Sequence, residues 1–171
     1  MYLLLTLLFS FLYNQQSFET NCLEEDIVQK RNFYYCIPSN SFEGYEIQFQ
    51  VLSNPTGKQV LNTYTYSWDL GDKRGKKSGS NIFYTYRGQG PNNGYTVSVV
   101  INDENGQIIE EFSKFISIAN VAPTLKMEIF PSIAKEGDNL VFEASHTDPG
   151  IIDQHTYYWD FGDGSPNRKR R

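Results

Sequence analysis

A motif of the form Tyr-x-Trp-Asp-x-Gly-Asp occurs twice in the chain, at residues 66–72 and at residues 157–163. A second pair of similar segments lies upstream, at residues 43–49 and 136–142. The two pairs are separated by 91 and 93 residues, a period that suits a whole β-sandwich domain and is too long for one unit of a solenoid. The 171 residues are therefore predicted to contain two related modules in tandem.

Short stretches of alternating hydrophobicity, separated by turn residues, indicate that both modules consist of β-strands. An apolar side chain occupies every second position in residues 45–51, 64–68, 82–86, 95–101 and 125–129. Another strand is predicted over about residues 107–118, after a turn that contains Asn105-Gly106, since both residues tolerate a positive φ. Aromatic residues, which favour the half-buried surface of a sheet, make up 15% of the chain. The fold class predicted from these patterns is an all-β antiparallel sandwich.

The second copy of the motif, Trp159-Asp160-Phe161-Gly162-Asp163-Gly164, resembles the signature of PKD (polycystic kidney disease) domains. Such domains are found in cell-surface polycystins and in many bacterial exported proteins. The segment Thr147-Asp148-Pro149-Gly150 and the linker Asn120-Val121-Ala122-Pro123 fit the same family.

The first copy, Trp68-Asp69-Leu70-Gly71-Asp72, is similar to the same signature, with Leu70 in place of Phe and Lys73 in place of the final Gly. The resemblance covers about residues 40–166. It implies an immunoglobulin-like (PKD-like) β-sandwich, with one complete module and part of a second.

The motif residues also have a structural interpretation that is independent of any family. A tryptophan at the end of a strand can fill the space between two sheets if its indole N–H finds an acceptor. An aspartate that follows can accept a hydrogen bond from the backbone ahead of it, and a glycine tolerates the positive φ of a turn. The residues predicted to have this structural role are Trp68, Asp69, Gly71, Asp72, Trp159, Asp160, Gly162, Asp163 and Gly164.

The chain is divided into four predicted segments. Residues 1–17 are interpreted as a signal peptide, because their uncharged apolar run is too short to span a bilayer as a helix; the alternatives are a buried N-terminal element or an uncleaved anchor. In residues 18–39, Cys22 and Cys36 are expected to form a disulfide after export, and two free thiols are the alternative. Residues 40–119 are the first module.

Residues 120–171 are the second module, which ends soon after its copy of the motif. We expect it to be truncated, because half a sandwich exposes one apolar sheet face. A fragment of a longer protein is the favoured explanation, and strands supplied by a partner are the alternative.

No catalytic residue, cofactor site or metal site is assigned. His146 and His155 are interpreted as surface-loop residues rather than as partners of Ser145 and a nearby aspartate in a catalytic triad. Exposed aromatic side chains such as Phe83 and Tyr158 either stack on a sugar or protein partner or pack across strands, and cross-strand packing is preferred. Turn formation is likewise preferred to calcium binding, for which the candidates are Asp148, Asp153, Asp160 and Asp163.

The net charge of −5 argues against a nucleic-acid partner, which usually requires a basic surface. The resemblance to PKD domains implies a non-enzymatic protein that is secreted or lies on the cell surface, as an adhesion or spacer module in contact with protein or carbohydrate. Two alternatives remain: an accessory module of an exported protease or polysaccharide-degrading enzyme, and a fragment of a membrane-anchored receptor ectodomain. Membrane contact is expected only through an anchor that is not present in this chain.

Overall fold

The computed structural model describes residues 23–53, 63–165 and 168–170. The predicted signal peptide at residues 1–17 and Cys22 lie outside the described residues, so both the leader and the disulfide stay predictions. The strands of the first module are β1 (Ile27–Lys30), β2 (Phe33–Cys36), β3 (Asn40–Phe42), β4 (Glu46–Leu52), β5 (Thr65–Asp69), β6 (Lys76–Ser78), β7 (Asn81–Thr85), β8 (Gly94–Asn102) and β9 (Ile108–Ala119). They are followed by β10 (Thr124–Phe130), β11 (Val141–Thr147), β12 (Tyr157–Trp159) and β13 (Arg168–Arg170).

Two sheets form the first module. One has the strand order β1-β2-β4-β7 and the other has the order β3-β9-β8-β5-β6. Neighbouring strands are antiparallel, apart from the parallel pair of β3 and β9. Because both sheets contribute to one shared core, the first module is an immunoglobulin-like β-sandwich, which confirms the predicted fold class.

The core lies between the two sheets, and the alternation along each strand decides which side chains enter it. Each large apolar side chain that is removed from water there contributes roughly 1.5–3 kcal/mol relative to an exposed one. Tyr45 was predicted in phase with the core residues of β4, but it precedes that strand and is 57% exposed, with its ring against Phe42. The buried side chains of β4, β5 and β8 include Ile47, Phe49, Val51, Tyr66, Trp68, Tyr95, Val97, Val99 and Ile101.

The sandwich begins before residue 40. The hairpin of β1 and β2 pairs with β4, and the side chains of Phe33, Tyr35 and Ile37 are buried in the shared core. The sequence pattern predicts no strand here, because both strands have only four residues and neither alternates clearly between buried and exposed positions. The segment 18–39, predicted as separate, thus contributes strands to the first module.

The turn between β8 and β9 lies where Asn105-Gly106 predicts it. Asp103 organises this turn, since its Oδ1 accepts hydrogen bonds of 2.9 Å from the backbone N–H groups of Asn105 and Gln107. Gly106 has a φ of 79°, whereas Asn105 does not adopt a positive φ. The turn therefore uses only one of the two residues that tolerate this conformation.

The second module consists of two separate two-stranded sheets. β10 pairs with β11 over seven residue pairs, and β12 pairs with β13 over three. Within the described part of the chain, no apolar side chain after Ile118 is buried. The exposed apolar side chains include Leu125, Met127, Ile133, Val141, Ile151 and Ile152. This module therefore has far less apolar burial to stabilise it than the first one.

Candidate functional site

Trp68 occupies the middle of the first sandwich. Its side chain is 0% exposed, and its ring centroid lies 6.0 Å from that of Phe49 in the facing sheet. The indole N–H donates a 2.9 Å hydrogen bond to the carbonyl oxygen of Gly79. Trp68 thus combines a large apolar surface with a satisfied polar group, as a buried indole requires.

The turn that follows Trp68 is held by its own aspartates. Asp69 Oδ1 accepts a 2.9 Å hydrogen bond from the backbone N–H of Gly71, and Asp72 Oδ1 accepts one of 3.1 Å from that of Arg74. Gly71 has a φ of 79°, and a Cβ at this position would lie 2.6 Å from the carbonyl oxygen of Thr96. Both the conformation and the close approach of β8 require glycine here.

The second copy of the motif forms the same pair of turns. Asp160 Oδ1 accepts a hydrogen bond from the backbone N–H of Gly162, and Asp163 Oδ1 accepts one from that of Ser165, each of 2.9 Å. Trp159, in contrast, is only partly buried, against the ring of Phe142. The expectation that Trp159 fills a sandwich core is therefore wrong for the described residues, because no second sheet covers it.

Asp72 also connects the turn of the first copy to β7. Its Oδ2 accepts hydrogen bonds from Tyr84 Oη, at 2.6 Å, and from Arg74 Nε. Burial alone would raise the pKa of Asp72, but these hydrogen bonds outweigh it and hold the pKa below its usual value. Burial and, after it, the hydrogen bond to Asp72 together raise the pKa of Tyr84 to about 12. The charged form of Asp72 is therefore part of the folded structure.

Glu43, in the turn between β3 and β4, connects the first module to the linker. Its side chain is 0% exposed, and its Oε1 accepts a 2.9 Å hydrogen bond from the backbone N–H of Val121. Its own backbone N–H donates a 3.1 Å hydrogen bond to the carbonyl oxygen of Ala119 at the end of β9. A glutamate of the first module thus fixes the start of the linker.

The segment 148–150 of the second module packs directly on this glutamate. A Cβ at Gly150 would lie 2.7 Å from Glu43 Cδ, and a Cβ at Gly44 would lie 2.3 Å from Pro149 Cβ. Gly44 also has a φ of 75°. Only glycine at both positions permits this close contact between the modules.

Three carboxylates meet the Asn120 amide at this contact, with Gln89 Nε2 3.0 Å from that amide. We call Glu43, Asn120, Asp148 and Asp153 the junction cluster. One carboxylate oxygen from each of the three acidic residues lies within 4.8 Å of the other two. One polar atom of the Asn120 side-chain amide lies 2.9 Å from Glu43 Oε1 and 3.0 Å from Asp153 Oδ2. These distances bring together an acidic group from each module and an amide from the linker.

Asp148 is held in place by two partners. Its Oδ1 accepts a 2.7 Å hydrogen bond from the backbone N–H of Gly150, and its Oδ2 lies 2.6 Å from His155 Nε2. His146 is in β11, not in a loop as predicted, and its Nδ1 lies 2.5 Å from Tyr157 Oη. Ser145 precedes His146 on the strand, so their side chains point to opposite faces of the sheet. These contacts give the histidines structural partners rather than a triad geometry.

The family model of the PKD domain matches residues 120–171. The chain carries a PKD domain. PKD domains are typically non-catalytic modules and are usually extracellular. No curated protein matches the chain. Among the residues that the structure describes, none forms a helix that is both long and apolar enough to cross a bilayer.

Two of the four calcium candidates predicted from the sequence lie in the junction cluster. Asp148 and Asp153 of the PKD domain come together there with Glu43, whereas Asp160 and Asp163 accept hydrogen bonds within their own turns. Glu43 and Asn120 were not predicted as site residues. The similarity of residues 43–49 to residues 136–142 indicates a repeat, but it gives no indication that Glu43 faces the PKD domain.

A second surface lies on the outer face of the first module. Phe83 of β7 lies on this face and is 49% exposed, as its position in the alternation predicts. Tyr158, which is predicted to be exposed in the same way, belongs to the PKD domain and is 67% exposed. Beside Phe83, Gln48 Nε2 donates a 2.9 Å hydrogen bond to Asn81 Oδ1. A depression of about 320 Å³ adjoins this surface, lined in part by Pro38, Ser41, Glu46, Gln48 and Phe83. The combination of an exposed ring with amide groups suits contact with a sugar or a polar protein surface.

Proposed function

We propose that the chain acts outside the cell as a non-enzymatic adhesion or spacer module, which holds neighbouring domains in a fixed geometry and contacts a protein or a carbohydrate. The PKD domain at residues 120–171 supports an extracellular, non-catalytic role. The observation that carries the spacer proposal is the direct contact between the modules, in which buried Glu43 binds the linker backbone at Val121.

The linker is too short and too well held to act as a flexible joint. Only four residues, 120–123, separate the end of β9 from the start of β10. A free chain of this length would spread its ends over roughly 10–12 Å. Here Pro123 restricts Ala122 to an extended conformation, and Val121 is bonded to Glu43. A spacer needs a stiff connection of this kind.

The distance between the modules in solution tests the spacer proposal. Spin-labelled unnatural amino acids would replace Lys76 and Glu143, which are both exposed. This method of labelling leaves Cys22 and Cys36 unmodified. Pulsed electron paramagnetic resonance of the full chain in EDTA should give a single narrow distance distribution. The distribution should broaden in Glu43→Ala, which removes the acceptor for Val121. A wild-type distribution as broad as that of Glu43→Ala would contradict the proposal.

The outer face around Phe83 supports a second candidate, an accessory module of an exported hydrolase that holds the enzyme on a polysaccharide. An exposed aromatic ring can stack on a sugar, and nearby amides such as Gln48 can bond its hydroxyl groups. The depression beside Phe83 gives such a ligand a concave surface. The same surface would serve the adhesion role, so the identity of the bound material separates the two candidates.

Binding of the fluorescently labelled full chain to insoluble cellulose, chitin and xylan tests this candidate. We expect retention on at least one of them and a loss of about tenfold in affinity in Phe83→Ala, which corresponds to about 1.4 kcal/mol. Phe115→Ala is a matched control, because Phe115 is also 49% exposed but lies on β9 of the other sheet. No retention on any of the three, or equal losses in the two variants, would exclude the polysaccharide role of this surface.

A further inference from the structure

We propose that the junction cluster of Glu43, Asn120, Asp148 and Asp153 is a calcium site that joins the first module to the PKD domain. The site draws one ligand residue from the first module, one from the linker and two from the PKD domain. It goes beyond the spacer role, because that role rests on the Glu43–Val121 hydrogen bond and needs no cation.

The strongest indication of a ligand is a buried carboxylate oxygen of Glu43. The whole residue is 0% exposed, and its Oε1 is bonded to Val121. Its Oε2 is also buried, and among the described residues it has no hydrogen-bond partner. Buried polar atoms are almost always satisfied, and a buried charge is usually paired or bound to a metal. A cation beside this oxygen would satisfy it.

The spacing of the three carboxylates fits one bound cation. Calcium binds oxygen ligands at about 2.3–2.6 Å, so two oxygens on the same ion can be at most about 5 Å apart. The ligand oxygens of Glu43, Asp148 and Asp153 all lie within 4.8 Å of one another. Three negative charges so close together repel one another, and a divalent cation would remove that repulsion.

Asn120 can serve the junction cluster in two orientations. Without a cation, its amide nitrogen donates to Glu43 Oε1 at 2.9 Å and to Asp153 Oδ2 at 3.0 Å. If the amide turns over, its oxygen points at the same two carboxylates and lies 3.0 Å from Gln89 Nε2, which can donate to it. A cation among the carboxylates would be a second partner for this oxygen and would offset the repulsion. Asn120 is thus able to replace its two hydrogen bonds by a metal ligand without moving its backbone.

The chemistry of the ligands favours calcium. All four side chains offer oxygen atoms, which hard cations prefer, and none offers the sulfur or imidazole nitrogen ligands that are typical of zinc. Calcium tolerates an irregular shell, whereas magnesium demands near-octahedral geometry and keeps several waters. His155 is bonded to Asp148 Oδ2 and would help to fix the orientation of this carboxylate, as outer-shell partners of metal ligands do.

Isothermal titration calorimetry of calcium binding to the full chain, after treatment with EDTA, tests this proposal. We expect one ion per chain with a Kd of about 10⁻⁵–10⁻³ M. Glu43→Gln keeps an acceptor for the Val121 N–H but removes the negative charge of Glu43. Asp153→Asn likewise removes the negative charge of Asp153 and keeps a side chain of the same size. Each should weaken binding at least tenfold, roughly the lower end of what the loss of a supporting metal contact costs. Asp160→Asn, outside the junction cluster, is the control and should bind like the wild type.

Melting temperatures with and without calcium show whether Glu43 binds a metal or only stabilises the fold. In EDTA, Glu43→Gln should melt at the wild-type temperature or above it, since it removes a buried charge; in millimolar calcium it should melt below the wild type. No calcium uptake by the wild type, or equal weakening by Asp160→Asn and Asp153→Asn, would overturn the proposal. If Glu43→Gln fails to fold, the comparison of Asp153→Asn with Asp160→Asn decides alone.

Discussion

Trp68 meets both requirements of a buried indole, apolar packing and one acceptor for its N–H. It is 0% exposed and donates to Gly79, whereas Trp159 in the corresponding position of the PKD domain is only partly buried. The same residue in the same sequence motif therefore has a different energetic role in each module. The difference arises from the sheet that faces the side chain, and not from the motif.

Replacement of Trp68 by alanine should destabilise the first module by about 3–5 kcal/mol, because it leaves a large cavity between the sheets. Trp159→Ala is the matched control and should cost less, since water already reaches its ring. Urea unfolding, followed by circular dichroism, measures both. An unchanged unfolding midpoint in Trp68→Ala would refute its place in the core.

Asp72 should make the stability of the first module depend on acidic pH. Its pKa is lowered in the folded state by the bonds from Tyr84 and Arg74. Its contribution is therefore complete above the ordinary aspartate pKa of about 3.9 and is lost as the pH falls through the lower folded value. Asp72→Asn should be less stable by about 1–3 kcal/mol near neutral pH, and the difference should shrink below pH ~4. Urea midpoints across this range check the effect, and a constant difference would contradict it.

At the scale of strands, the sequence predicts the elements that alternate over several residues and are covered on one face. β5 and β8 are such strands, and their inward positions lie in the core. β3, with three residues, was not predicted, because its parallel pairing with β9 depends on a strand more than 70 positions away. The junction cluster is non-local in the same way: Asp148 and Asp153 were candidates from the sequence, but their partner Glu43 lies in another module.

The hairpin of β1 and β2 places Cys36 at the end of a buried strand. We expect Cys36 to form a disulfide with Cys22 in secreted material, which would tie the N-terminal segment to the first sheet. Labelling of thiols under denaturing conditions, with and without prior reduction, measures this. Modification of both cysteines without reduction would rule out the bond.

The strands of the PKD domain should open more readily than those of the first module. None of their apolar side chains is fully buried, and among the described strands β10 is paired only with β11. Regions with little apolar burial have low local unfolding free energies. Limited proteolysis with mass spectrometry should therefore find early cleavage within residues 124–171 and a resistant first module. Equal resistance of the two modules would show that the PKD domain is better covered than its described residues indicate.

At the level of the whole molecule, we infer that the contact of Glu43 with the linker joins the two modules in a fixed geometry. The fold of the first module, the close approach of Gly150 and the four-residue linker all converge on this contact. A spacer role needs the contact, and the calcium site would strengthen it. The backbone N–H of Val121, whose acceptor is buried Glu43, reports directly on whether the contact persists in solution.

Hydrogen exchange of the Val121 amide, measured by nuclear magnetic resonance on the full chain in EDTA, tests this claim. We expect exchange at least about tenfold slower than in an unstructured peptide, which corresponds to an opening free energy of about 1.4 kcal/mol or more. The protection should disappear in Glu43→Ala. Exchange of the wild-type Val121 amide at the unprotected rate would show that the modules move independently and would contradict the claim.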